Sequence, residues 1–135
     1  MIEVFTDGAS YGNPGPSGAG VYIKHEQQHY RYSFFLGDFS NHVAEFQAVI
    51  KALMICKDKF PTDILSFRSD SRIVVDTIEK NYSKNKLFIP LLHQISEHAS
   101  DFPHFFIKWI PEKQNRQADK LARQAIQHQT NRQYS

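Results

Sequence analysis

The chain has 135 residues, of which 41% are hydrophobic and 22% charged, with a formal net charge of +2. That balance fits one ordinary globular domain with one core. No apolar run reaches the roughly 18 residues needed to cross a bilayer, the single cysteine, Cys56, cannot form an internal disulfide, and the charge is compatible with nucleic acid without arguing for it.

The opening Met1–Gly8 shows no basic segment followed by an apolar stretch, so a cytoplasmic, monomeric protein without a membrane partner is expected. Ile2 to Thr6 reads as a first strand stopped by Asp7-Gly8, and Gly12 to Gly18 as loop by its glycine and proline content. Gly20–Lys24 and Tyr30–Leu36 follow as strands with a turn over His25–His29; in the second, Tyr30, Tyr32, Phe34 and Leu36 recur with period two. Ser40 or Asn41 can cap a helix to about Cys56, with Val43, Phe46, Ile50 and Leu53 at helical spacing. Ile64–Ser69 is a fourth strand, Ser71 opens a helix to about Lys80, and a further helix runs from about Leu87 to Ala99. His104–Ile110 is a fifth strand closed by Pro111. Asn115 then caps a last helix whose stripe is Ala118, Leu121, Ala122 and Ala125. The order β-β-β-α-β-α-α-β-α predicts an α/β fold in a single domain over residues 1–135. Its mixed five-stranded sheet has the first three strands antiparallel and helices on its faces, with a core over about residues 2–127 and a flexible tail over 128–135. Cys56, inside an apolar helix pattern, is expected to be buried and structural.

Four acidic residues stand where carboxylates are awkward. Asp7 and Asp70 each end a strand; if those strands are parallel neighbours, the two acids lie side by side at the carboxyl edge, where open α/β sheets gather ligands. Their repulsion would raise both pKa values unless a cation relieves it. Glu45 sits on or beside the sheet-facing side of its helix, which is unfavourable for a carboxylate without a partner or metal. Asp119 lies beside the stripe of the last helix. Taken singly, Asp7 reads as a turn residue, Asp70 as a helix cap, Glu45 as a first-turn acid and Asp119 as a solvated residue. Together, two strand ends and two helix faces can converge, and an all-oxygen set favours Mg²⁺ or Mn²⁺.

At these residues the sequence resembles type 1 ribonuclease H over nearly its whole length. Thr6 to Gly20 resembles the family's opening strand and glycine-proline loop. Asn41-His42-Val43-Ala44-Glu45 resembles the helix start with the second acid, Ser69-Asp70-Ser71 the third acid's strand end, and Asn115 to Ala122 the last helix with the fourth. The resemblance implies a metal-dependent endonuclease that hydrolyses the RNA strand of an RNA–DNA hybrid, leaving 5′-phosphate and 3′-hydroxyl ends. It implies two Mg²⁺ or Mn²⁺ ions with substrate: one between Asp7, Glu45 and Asp70, a second held by Asp7 and Asp119. Hybrid recognition would rest on shape and 2′-hydroxyls, with Gly8, Ala9, Ser10 and Asn13 toward the RNA, Ser40 and Asn41 toward the DNA, and Arg72 at a phosphate or base edge.

The sequence departs from many members in two places. Between the last strand and last helix stands only Pro111-Glu112-Lys113-Gln114, without histidine, as in archaeal and plant-like members; Glu112 reads either as a substitute or as a solvated loop acid. Between the middle helices, Asn81 to Lys86 replaces a longer basic protrusion, and Trp109 is expected to pack rather than touch DNA. These absences keep open an alternative, a weak or inactive nucleic-acid-binding module of the same fold.

Overall fold

The computed structural model describes residues 1–134. The strands are β1 (Ile2–Ser10), β2 (Gly15–His25), β3 (Gln28–Phe39), β4 (Leu65–Ser69), β5 (Phe105–Trp109) and β6 (Arg132–Tyr134). The helices are α1 (Asn41–Lys59), α2 (Arg72–Lys80), α3 (Phe88–Ala99) and α4 (Arg116–His128). One mixed sheet has the order β5-β4-β1-β2-β3-β6. β1, β4 and β5 run parallel, and β1-β2-β3 form the antiparallel meander.

Strand alternation divides the side chains between two faces. Ile2, Val4, Val21, Ile23, Leu65, Phe67 and Ile107 join Phe46, Val49, Leu53 and Cys56 of α1 in the main core, together with residues of α2 and α3. Cys56 is fully buried, and burial pushes its thiol up to about 12. On the opposite face, Ala9 packs with Ala122 and Ile126 of α4. No helix among the described residues is long and apolar enough to cross a membrane.

Three boundaries differ from the sequence reading, each for a physical reason. β1 continues through Asp7 to Ser10, and β2 starts at Gly15, because the glycine-rich stretch pairs in register: Asp7 with Gly20, Gly8 with Ala19, Ala9 with Gly18. These small residues are needed where helices press on both faces. A side chain at Gly8 would collide with the Ala44–Glu45 backbone of α1, and one at Gly20 with the Ala118 carbonyl of α4. The turn after β2 shrinks to Glu26-Gln27, since His25 pairs with Gln28. The sheet has six strands rather than five: within the tail expected to be flexible, Arg132–Tyr134 pairs with Arg31–Ser33 of β3. Ser135 lies outside the described residues.

Candidate active site

Four elements bring the acidic residues to one place. Asp7 lies within β1 rather than at its end, on the α4 face beside Gly20. Asp70 follows directly on β4, whose Ser69 pairs with Thr6 in the parallel ladder, so the two acids are neighbours across the β1–β4 step. Glu45 comes from the first turns of α1, set by Ser40, whose Oγ accepts from Val43 N at 3.3 Å as the helix cap. Asp119 comes from the first turn of α4. Carboxylate oxygens of Asp7, Glu45 and Asp70 all lie within 4.8 Å of one another. A cavity of about 280 Å³ is lined by these three together with Asp119, Glu112 and Arg123.

Burial and like charge act together here. Asp7 and Glu45 are each only 8% exposed. Burial first, then the charges of Asp70 and Asp119, holds the Asp7 carboxyl well above its ordinary range. Burial also raises Glu45, against the opposing pull of His42, whose Nδ1 lies 2.9 Å from Glu45 Oε1, and of the Ser71 hydroxyl. Asp70 is raised by burial, with Asn115 pulling it down and Glu112 and Asp119 adding to the rise. A partly buried, mutually repelling, all-oxygen cluster could hold a hard divalent cation, which would remove the repulsion that the bare carboxylates suffer.

Several residues missed in the sequence hold this geometry. Asn115 stands at the N-cap position of α4, but its side chain makes no cap bond there; it is fully buried, and Nδ2 donates to Thr6 O at 2.9 Å. It ties α4 to β1 beside the acids. Arg123 donates from Nε to both carboxylate oxygens of Asp119, at 3.1 and 3.2 Å. The i,i+4 spacing on α4 made that pair findable in the sequence; the long-range Asn115 bond left no local signal.

The proposed substrate residues divide. Gly8, Ala9, Ser10 and Asn41 line the cavity, as do Tyr11 and Glu112, which the sequence left outside the site or open. Gly8 is required by the approach of α1. Asn13, Ser40 and Arg72 do not line it. Asn13 Oδ1 accepts from Asn41 N at 3.4 Å, and Ser40 is the α1 cap. Arg72 stacks its guanidinium 3.8 Å from the ring centroid of Trp109. That tryptophan is 37% exposed, and its Nε1 donates to Asp70 O at 3.1 Å, so it braces the strand-to-helix corner rather than filling the core.

The sequence matches a family described as RNase H over residues 1–127. The chain belongs to the RNase H family. It is a ribonuclease H with the type 1 architecture, in a short form whose β5–α4 connection is the single 3-10 turn Glu112–Gln114. A relative described as putative hydrolase EbsB, from Enterococcus faecalis, is 44% identical over 94% of this chain and 95% of its own. The Actinobacillus succinogenes ribonuclease H is 30% identical over 96% of this chain and 92% of its own. Among solved structures, LC11-RNase H1 in complex with RNA/DNA hybrid superposes with a TM-score of 0.89 at 29% identity, covering 96% of this chain and 99% of that one.

Proposed function

We propose that this ribonuclease H hydrolyses the RNA strand of RNA–DNA hybrids endonucleolytically at the Asp7–Glu45–Asp70–Asp119 cluster. The observation that carries the reading is the convergence of three carboxylates within 4.8 Å, those of Asp7 and Glu45 buried and that of Asp70 partly so. The hybrid bound to a structural relative at TM-score 0.89 supports the substrate. Asp7, Glu45 and Asp70 would hold one Mg²⁺ or Mn²⁺ ion, and Asp7 with Asp119 a second when substrate is present. Such ions supply a water of lowered pKa and neutralise charge on both sides of an in-line displacement. The water would lose a proton to solvent as its oxygen bonds to phosphorus, the bond from phosphorus to the 3′ oxygen would break, and that oxygen would take up a proton from solvent, so that the products carry a 5′-phosphate and a 3′-hydroxyl.

The chain's own groups prepare this step. Burial of Asp7 and Glu45 beneath the helices strengthens the action of their charge, while Asp70 and Asp119 stay partly open to solvent. His42 fixes one oxygen of Glu45, leaving the other for the cluster. Arg123 neutralises Asp119 until that carboxylate is drawn into the site. Gly8, Ala9, Ser10 and Asn41 form the cavity wall along which the sugar edge of the hybrid would lie, a shape- and 2′-hydroxyl-based mode of reading.

Asp70→Asn and Asp119→Asn test the assignment. Each keeps the shape and removes one negative charge. Asp70→Asn is expected to lower hybrid cleavage by about 10²–10³-fold or more, the scale on which one lost electrostatic partner is felt. Asp119→Asn is expected to lose less and to recover in part with more metal or with Mn²⁺. Both should keep hybrid affinity. A wild-type protein that binds hybrid yet cleaves no faster than Asp70→Asn in either metal would make the chain a binding module instead.

A further inference from the structure

On the face of the sheet that carries α4, the helix packs only at the upper end; below it the sheet is covered by its own long side chains, which leave Tyr22 buried beneath them. Below Gly20 and Ser33, where α4 packs, the ladder registers align one residue from each of the six strands in a single row. That row runs Lys108, Arg68, Phe5, Tyr22, Arg31, Tyr134. At an interstrand spacing of about 4.8 Å it spans about 24 Å. Its chemistry alternates in blocks: two cations, two rings, a cation and a ring.

The rings serve as plates under the cations. Arg31 lies 5.2 Å from the Tyr22 centroid, Arg68 5.3 Å and Lys24 5.6 Å from that of Phe5. This arrangement holds long side chains over the sheet instead of leaving them free in solvent. Glu3 is the acid in the adjoining row; it pairs with Arg68 and is held below the ordinary carboxylate range by Arg68, with Lys24 and Lys108 adding to the effect. Lys24, Arg31 and Lys108 make no ion pair among the described residues. The same surface continues into a cavity of about 270 Å³ beside the start of α4, where Lys113 and Arg116 add two further cations. At the other end of the face, Phe106 is 53% exposed.

We propose that the layer of cations over this sheet face binds single-stranded nucleic acid, its phosphates running across the strands from Lys108 to Arg31. Charge complementarity sets the class of partner: the face is cationic, partly pre-ordered and extended in one direction, as a flexible polyanion requires. Here the rings hold the cations in place, and the cations supply the phosphate contacts that bind a strand without reading its sequence. The surface uses none of the four clustered carboxylates, so it stands independently of the hydrolytic reading.

The test is anisotropy of fluorescein-labelled dT15 and U15 with the full chain, in EDTA and low salt. Arg31→Glu/Lys108→Glu is compared with a control of equal charge, Lys57→Glu/Lys80→Glu, on α1 and α2. Binding is expected to weaken about tenfold or more in the first and by less than about twofold in the second. The salt slope for wild type is expected to be steeper than for the Arg31/Lys108 variant by about 0.7 for each phosphate that the variant no longer neutralises. Cleavage of a blunt hybrid should be unchanged. Arg31→Gln/Lys108→Gln repeats the measurement without adding acid, should the Glu pair melt early. Equal losses in the two double variants, or no wild-type binding to either oligomer, would overturn the proposal. So would stronger binding to a polyglutamate peptide or to anionic lipid vesicles than to the oligomers.

Discussion

Asp7 is the residue on which the most conflicting demands fall. It is buried, it faces two other acids, and its carboxyl is held well above the ordinary value of 3.8. For a carboxylate shifted upward, the folded chain keeps its proton at a pH where the unfolded chain has lost it. The stability penalty is therefore absent below the ordinary value, grows as pH rises toward the raised one, and is full beyond it. Asp7→Asn removes the penalty. In EDTA the variant is expected to melt a few degrees above wild type at about pH 7.5, and the gap is expected to close as pH falls toward about 4. Thermal melts of the two proteins across that range decide it; a gap independent of pH would show that repulsion is not the cause. With Mg²⁺ or Mn²⁺ present the order should reverse, because the variant has lost a ligand.

At the scale of elements, the decisive contact is that of α4 with β2. Gly20 leaves no room for a side chain against the Ala118 carbonyl, so Gly20→Ala forces the helix outward. A loss of about 2–3 kcal/mol is expected, in the range of overpacking in a rigid core, and urea denaturation measures it. Hybrid cleavage should fall as well, because Asp119 moves with α4. This contact also explains what the sequence could reveal. The helices and the order of strands were legible, since the stripes Val43-Phe46-Ile50-Leu53 and Ala118-Leu121-Ala122-Ala125 and the alternation in β3 are local periodicities. The strand character of Gly15–Ala19 was not, because composition there signals a turn while two helices on opposite faces demand small residues. The meeting of Asp7, Glu45 and Asp70 was expected from a parallel β1–β4 pair and a helix start, although Asp7 lies inside β1 rather than at its end. Asn115, His42 and the Trp109–Arg72 stack were not. Each has an ordinary local reading, as cap, helix residue or packing residue, and acquires its role from a partner that the fold supplies.

For the whole molecule, strand β6 closes one margin of the sheet with three residues, and Asn131 Oδ1 adds a bond from Phe35 N at 2.9 Å. Ending the chain at Gln129 would expose the β3 edge, and exposed edges recruit other chains. The truncated protein is expected to keep its fold, to melt a few degrees lower, and to self-associate at concentrations where the full chain stays dispersed; light scattering beside a thermal melt reads both. The carboxylate cluster has a comparable reach. Asp7 stands in β1 and Asp119 in α4, far apart in the sequence. An ion held by both, as proposed above, would act as a reversible crosslink between β1 and α4. Loading the site and docking the final helix then become two readings of one equilibrium, so whatever strengthens either is felt by the other.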